Sequence, residues 1–291
     1  MKLLIGGSPC THWSIARTKN RETEASGIGW ELFLNYRIAR DKYKPDFFLY
    51  ENNKSMSPAI REQITAELGV EPVLINSALV SAQNRQRLYW VGKRNPDGKS
   101  VTLCGQGGGV GAKTGLYAVP VIPDGKGQFV IKAAGGKEIP VYEVRGGRIT
   151  IKGKEYPIKL ADGFYIIRKL TVTECKRLQT VPDTYAFPVS DTQAYKMLGN
   201  GWTVDVIAHI MSHFTGLTEE PVEVLSMYDG MSCGHIALDK LGVNVTAYYA
   251  TEIDKYAVQT TQHNFPEIVQ LGDAFQVRDE EWRPRRAEGV E

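Results

Sequence analysis

Apolar, strand-like runs alternate with helically spaced apolar residues at both ends of this chain, and a glycine-rich, basic stretch separates those ends. A parallel pair of strands needs a crossover long enough to hold a helix, so this alternation builds a mostly parallel sheet with helices packed on its faces. Near the N-terminus, Asp46-Phe47-Phe48-Leu49-Tyr50 leads to Ile60, Ile64 and Leu68 at a helical period and then to Pro72-Val73-Leu74-Ile75. The C-terminal part repeats the pattern with a strand from Glu223 to Tyr228, a helix ending near Leu241-Gly242, a strand from Val245 to Thr251 and a helix from about Lys255. Each end supplies only three or four strands. One shared sheet is therefore expected, with the Glu223 to Asp273 segment beside the Leu3 to Cys10 strand.

The middle of the chain differs in kind. Of 29 glycines, 14 fall between Gly98 and Gly153, where the β-type runs Gln128-Phe129-Val130-Ile131-Lys132 and Arg148-Ile149-Thr150-Ile151-Lys152 are divided by Gly-Gly and Asp-Gly turns. Such a segment predicts twisted hairpins. Between Lys93 and Lys169 there are 14 Lys and Arg against 6 Asp and Glu, although the whole chain, with 35 and 33, is almost neutral. A basic module on an acidic body suits a polyanionic partner. The expected division is residues 1–95 as one half of an α/β domain, 96–167 as a small basic domain, and 168–291 as the remainder of the α/β domain.

Composition excludes several classes. With 42% hydrophobic residues the chain can bury a core, and no run approaches the roughly 20 apolar residues of a membrane span. The N-terminal Met1-Lys2-Leu3-Leu4-Ile5 is too short for a signal peptide, so secretion is not expected. Cys10, Cys104, Cys175 and Cys233 lie far apart without a CxxC pair, which argues against zinc and against a disulfide framework. His12, His209, His213, His235 and His263 show no metal-ligand spacing, and no metal is expected.

Chemistry-bearing residues fall where strands should end. Asp229-Gly230-Met231-Ser232-Cys233-Gly234 follows an apolar strand and precedes a helix, Glu252 ends the next strand, and Gly272-Asp273 follows the third. A glycine turn, a carboxylate able to accept from ribose hydroxyls and a further acid describe a nucleoside pocket along the carboxyl edge of a parallel sheet; turns and helix caps are the plainer reading. Leu3-Leu4-Ile5-Gly6-Gly7-Ser8-Pro9-Cys10 runs a strand into a rigid turn that presents a thiol. Glu51 ends the strand at Phe47-Phe48-Leu49-Tyr50, where a protonated carboxyl could donate to a ring nitrogen. Arg85 and Arg87, in Gln83-Asn84-Arg85-Gln86-Arg87, point the same way if the strand at Leu88 starts early.

Taken with Arg168-Lys169-Leu170-Thr171-Val172-Thr173-Glu174-Cys175-Lys176-Arg177-Leu178-Gln179 and Gln193-Ala194-Tyr195-Lys196-Met197-Leu198-Gly199-Asn200, these motifs closely resemble the ordered signature of C5-cytosine DNA methyltransferases, over nearly the whole chain. The resemblance implies a Rossmann-like α/β methyltransferase sheet with a small β-rich target-recognition domain, in circularly permuted order. The cofactor-binding strands, Glu223 to Asp273 here, come first in that family and last in this chain, joined through Phe214 to Pro221, the kind of polar linker where permutation is tolerated.

The resemblance further implies S-adenosylmethionine as methyl donor and double-stranded DNA as partner, with no membrane and a monomeric enzyme in the cytoplasm of a bacterial or phage-infected cell. Cys10 would attack cytosine C6, Glu51 would hold N3 and the amino group, and Arg87 with Arg85 would bind the base carbonyl and orient Glu51. Tyr228, Asp229, Gly230, Met231 and Gly234 would pack on the donor with Pro9. Glu252 would take its ribose, Ile253 would cover adenine, Asp273 would accept from the adenine amine, and Asn200 would sit near the methionine end. The target base must leave the stack, and the Thr11 to Gly27 loop, with Arg17, Lys19 and Arg21, would close over it. The short basic module implies a short recognition site, as in a restriction partner or a phage-borne protector.

One departure is Asn53, a polar residue where the family usually has valine. The same thiol and acid could serve an RNA cytosine methyltransferase, and a catalytically silent DNA-binding protein would have lost one of Cys10, Glu51, Arg87 or the cofactor-binding acids. A dehydrogenase would need a GxGxxG turn that Asp229 to Gly234 does not supply.

Overall fold

Helix formation in the N-terminal part follows its local signals. Ser57 caps the helix α2 (Pro58–Leu68) by accepting from the Ile60 amide, Pro58 occupies the first turn, and Gly69 ends it at φ 72°. Ile60, Ile64 and Leu68 are all buried by that helix, at about 1.5–3 kcal/mol each.

A computed structural model of the chain describes residues 1–14, 20–94, 100–102, 117–123, 129 and 138–285. Two compact units are present: Met1–Ala112 with Cys175–Glu291, and Lys113–Glu174. The composition shift had put these boundaries at 95/96 and 167/168.

In the larger unit, β1 (Lys2–Gly6), α1 (Gly27–Tyr43), β2 (Phe47–Asn53), α2, β3 (Pro72–Asn76), β4 (Gln86–Arg94) and β5 (Ser100–Thr102) come first. The helix α3 (Val172–Leu178) begins in the smaller unit and ends in the larger, which α4 (Asp191–Asn200), α5 (Val204–Met211), β11 (Val222–Met227), α6 (Cys233–Lys240), β12 (Val245–Thr251), α7 (Lys255–Asn264) and β13 (Val269–Gly272) complete. The sheet runs β13-β12-β11-β1-β2-β4-β3, with β5 on β4. β1 pairs in parallel with β11 on one side, Lys2 opposite Glu223, and with β2 on the other, Leu3 opposite Phe47. The expectation that the two ends of the chain share one sheet holds.

Order in this sheet reverses between β11 and β1, because β11 to β13 wind outward one way and β1 to β4 the other. Such a reversal opens a crevice beyond the carboxyl ends of the two strands. Every residue of β2 is buried, as a strand covered on both faces requires, and Pro72 opens the edge strand β3, where a missing N–H costs no ladder bond. Gly234 lets α6 lie directly on β1, since a Cβ there would meet Ile5 Cδ1 at 2.3 Å.

The Phe214 to Pro221 join is less polar in place than in sequence. Phe214 stacks on Phe47 with centroids 4.7 Å apart, and Leu217 is buried, so two apolar anchors seat the segment while Glu219 and Glu220 stay exposed.

The smaller unit holds an antiparallel sheet ordered β6 (Tyr117–Val121), β10 (Gly163–Arg168), β7 (Val141–Arg145), β8 (Arg148–Ile151), β9 (Lys154–Pro157). Its core is Val144, Ile149 and Tyr165. The expected strand at Gln128 to Lys132 lies outside the described residues, Phe129 apart.

Candidate active site

β1 carries the chain to the crevice through Gly6 and Gly7, both forced to be glycine by space. A Cβ on Gly6 would stand 2.7 Å from the Met227 carbonyl of β11, and one on Gly7 would stand 2.7 Å from the Glu51 carbonyl of β2 and 3.0 Å from Glu51 Oε2. Ser8 is buried and shares a 2.6 Å hydrogen bond with the Tyr50 hydroxyl. Exposed Pro9 then precedes a 3-10 turn, Cys10–His12, which leaves the free thiol of Cys10 half-buried.

Two successive amides at the end of β2 grip this turn. Asn52 Nδ2 donates to the Ser8 carbonyl at 3.1 Å, and Asn53 Nδ2 donates to the Cys10 carbonyl at 3.4 Å while its Oδ1 accepts from Ser55 Oγ at 2.8 Å. Asn53 thus gives the Cys10 turn a polar anchor that an aliphatic side chain could not provide.

Glu51 is only 8% exposed. β4 runs antiparallel to β2 with Asn53 opposite Arg87, so Arg87 is the diagonal neighbour of Glu51 on the same face. Its Nε lies 2.9 Å from Glu51 Oε1. That contact is off the line of a hydrogen bond, and Oε1 is buried with no hydrogen-bond partner among the described residues. Oε2 accepts from the indole Nε1 of Trp202 at 3.0 Å.

Arg85 departs from the expectation that it would act beside Arg87 on Glu51. β4 begins at Gln86, so Arg85 precedes the ladder, and its fork holds the Gly199 carbonyl through Nη1 at 3.0 Å and the Gly201 carbonyl through Nη2 at 2.9 Å. Gly199 and Asn200 form the last turn of α4, and Asn200 is exposed beside the clamped carbonyls. A Cβ on Gly201 would touch Cys233 Sγ at 3.1 Å and Met231 Sδ at 3.6 Å, so this segment lies against the turn after β11.

That turn is tightly wound. Tyr228, Gly230 and Ser232 all have φ near 60°, a conformation costly for the two non-glycine residues and characteristic of ligand-binding loops. Asp229 turns inward, where Tyr248 donates to Oδ1 at 2.7 Å and Ser232 to Oδ2; burial raises its pKa against these bonds. Met231 and Gly234 are buried, and the Tyr228 hydroxyl donates to the Leu32 carbonyl at 2.7 Å. Burial also pushes the Cys233 thiol up to about 12.

Residues able to hold a nucleoside line the adjoining strand ends. Glu252 Oε2 accepts from the Gly230 amide at 2.8 Å and Oε1 from the Ile253 and Asp254 amides at 2.8 and 2.7 Å, fixing the carboxylate with lone pairs to spare. Beside it, Ile253 is a large apolar side chain that is 75% exposed. Gly230 has open space where a Cβ would stand, and exposed Asp273 follows β13 and caps the next turn by accepting from the Phe275 amide at 2.9 Å. A fixed carboxylate, a bare apolar surface and a glycine-lined opening fit an adenosine-type group.

Trp202 and Asn53 were not assigned roles on sequence. For Trp202 the available signal was an indole two residues after Gly199-Asn200. In the Thr11 to Gly27 loop, Arg21 is tied to the Trp13 and Ser55 carbonyls, while Arg17 and Lys19 lie outside the described residues.

The large mixed sheet, with its crevice at the β11–β1 reversal, fits a methyltransferase fold. The chain belongs to the C-5 cytosine-specific DNA methylase family, whose profile matches residues 1–107 and 137–215. It is 29% identical over 244 residues to Type II methyltransferase M.NlaX of Neisseria lactamica, covering 72% of this chain and 74% of that one. It is also 27% identical over 252 residues to Type II methyltransferase M.HpaII of Haemophilus parainfluenzae (70% and 69%), and 31% identical over 102 residues to Orphan methyltransferase M.SPRI of Bacillus phage SPR (32% and 23%). No helix among the described residues is long and apolar enough to cross a membrane.

Proposed function

We propose that this protein methylates C5 of a cytosine flipped out of a short duplex DNA site, inside a bacterial or phage-infected cell, with S-adenosylmethionine as donor. The observation that carries the reading is that the end of β2, which carries Glu51, grips the Cys10 turn through Asn52 and Asn53, while the buried Oε1 of Glu51 has no hydrogen-bond partner among the described residues.

In this reading the Cys10 sulfur forms a bond to C6, which makes C5 an enamine carbon. Glu51 delivers a proton to N3 so that negative charge does not build up on the ring. Arg87, beside Oε1, faces the base carbonyl and balances the carboxylate, and Arg85 holds the Gly199 to Trp202 segment in place. When bound, S-adenosylmethionine supplies the methyl group that C5 takes. The C5 proton then passes to solvent, the sulfur–C6 bond breaks by β-elimination, Cys10 returns as thiolate, and N3 gives its proton back to Glu51. Tyr228, Glu252, Ile253 and Asp273 would hold the donor's nucleoside, with the Asp229 to Gly234 turn, Pro9 and Asn200 around its methionine end.

The chain reads as a circular permutant of its family. Support comes from the late position of the Glu223 to Asp273 motifs and from the parallel pairing of β1 with β11. The Lys113–Glu174 unit is proposed as the target-recognition domain, gripping phosphate with its Lys and Arg while a few side chains read base edges. The enzyme is proposed to act as a monomer.

The test is tritium transfer from labelled S-adenosylmethionine to unmethylated duplex DNA by wild type and Cys10→Ala, followed by bisulfite sequencing. Transfer lost in Cys10→Ala, with 5-methylcytosine at one recurring short site, is expected. No transfer by wild type, transfer only to RNA, or full activity of Cys10→Ala would each overturn the reading.

A further inference from the structure

The two oxygens of Glu51 are in unequal surroundings. Oε2 lies 3.0 Å from where a Cβ on Gly7 would stand and accepts from the Trp202 indole, whereas Oε1 is buried without a hydrogen-bond partner among the described residues, beside Arg87. A partly buried indole N–H is best satisfied by an acceptor, and here it has found the one carboxylate that the proposed chemistry uses.

Trp202 is itself held on both sides. The preceding Gly201 is fixed by Arg85 at its carbonyl and by the Met197 carbonyl at its amide, 2.7 Å away. The following Thr203 donates to Gln179 Oε1 at 2.7 Å and shares a 2.8 Å bond with Ser77 Oγ, while Gln179 Nε2 donates to the Leu198 carbonyl at 2.7 Å. With both neighbours anchored by hydrogen bonds, those of Thr203 buried, the indole is aimed before substrate arrives.

Resting on the methyltransfer reading, we infer that Trp202 is a positioning residue that sorts the oxygens of Glu51, keeping Oε2 as acceptor and presenting Oε1 to the cytosine ring. The proton Glu51 gives to N3 then travels on Oε1, and as the Cys10 sulfur–C6 bond forms, the carboxylate left behind is stabilised by the indole N–H and by Arg87. Because Gly201 lies against Met231 and Cys233, the same segment couples the carboxylate to the turn after β11.

The experiment replaces Trp202 by β-(3-benzothienyl)alanine, which keeps the bicyclic shape and removes only the N–H, with Trp202→Phe as a second variant. The probe is duplex DNA with 5-fluorocytosine in place of cytosine, on which the Cys10 adduct accumulates because the C5 position has no proton to lose. Losing one hydrogen bond to a charged group lowers the rate of adduct formation about 10- to 100-fold, with dissociation constants for DNA and S-adenosylmethionine unchanged.

Trp202→Phe, which also loses the bulk of the indole, separates the two roles. A merely structural role would change folding or binding, and the isostere, which keeps the shape, would then match wild type.

If the isostere matches wild type in rate, or loses rate only together with weaker binding of DNA or S-adenosylmethionine, the role of Trp202 is overturned while the methyltransfer reading stands. If wild type forms no adduct, that reading falls and this inference with it.

Discussion

Gly7→Ala tests how closely β1 and β2 must approach for Glu51 to be placed. The added Cβ would fall 2.7 Å from the Glu51 carbonyl oxygen and 3.0 Å from Oε2, against about 3.5 Å for an unstrained contact. The carbonyl belongs to β2, which is wholly buried and hydrogen-bonded to β1 through Gly6 opposite Tyr50, so the backbone has little freedom to give way. Relief therefore needs a shift on the order of half an ångström or more, either between the strands or in the carboxylate. Overpacking of this size costs about 1–3 kcal/mol, which lowers the melting temperature by about 2–4 °C per kcal/mol in a unit of this size. Whatever part the side chain absorbs moves Oε2 away from Trp202, and misplacement approaching 1 Å costs about 100-fold in rate. Thermal denaturation with tritium transfer on the same preparation measures both parts. A variant that melts within 1 °C of wild type and methylates at the wild-type rate would refute the reasoning, because the clash would then have no consequence in either place.

Gly234→Ala should lower stability by about 1–3 kcal/mol, through a Cβ 2.3 Å from Ile5 Cδ1; Ile5→Val in the same chain removes that carbon and should restore much of the loss, and additive melting shifts would contradict the contact. Arg85→Lys keeps the charge but loses the fork on the Gly199 and Gly201 carbonyls, so methyl transfer should fall about 10-fold; an unchanged rate would show that the fork does not position this segment. In the smaller unit, Glu174 closes a capping box with Thr171 and pairs with Arg168 at 2.7 Å, and the Arg168 hydrogen bond, then the Thr171 amide, lowers its pKa to about 2. A carboxyl depressed on folding stabilises above its unfolded pKa of about 4.5 and loses that contribution as pH falls towards 2. About a third of each side chain is exposed, so solvent screening holds the pair to about 1 kcal/mol or less; melting of wild type and Glu174→Gln from pH 6 to pH 2 should converge at the acid end, and a constant gap would contradict the linkage.

Much of the larger unit was legible because its signals are local. The Ser57-Pro58 start, the Ile60, Ile64 and Leu68 spacing and the Gly69 stop depend on residues a few positions apart, and helix α2 follows them. Chemistry-bearing residues could also be found in sequence, since a doubly wound sheet gathers its strand ends at one edge whatever lies between them. Cys10, Glu252 and Asp273 stand just past the end of a strand for that reason, and Glu51, expected at the end of its strand, lies two residues inside the end of β2, which runs on to Asn53.

What sequence alone determined, then, was the kind of sheet and the set of reactive groups on its rim, because period, turn chemistry and residue type act over short range. Only the tertiary structure decided which groups meet. The pairing of β1 with β11 joins residues more than two hundred positions apart, and the antiparallel register of β4 sends Arg87 to Glu51 while Arg85, one step outside the ladder, turns to the Gly199 and Gly201 carbonyls. Trp202 looked like a single aromatic residue until α4, Gln179 and Arg85 fixed its backbone and aimed the indole at Oε2. Register and close approach are properties of packed strands, set by the simultaneous burial of many side chains, and no local stretch of sequence carries them.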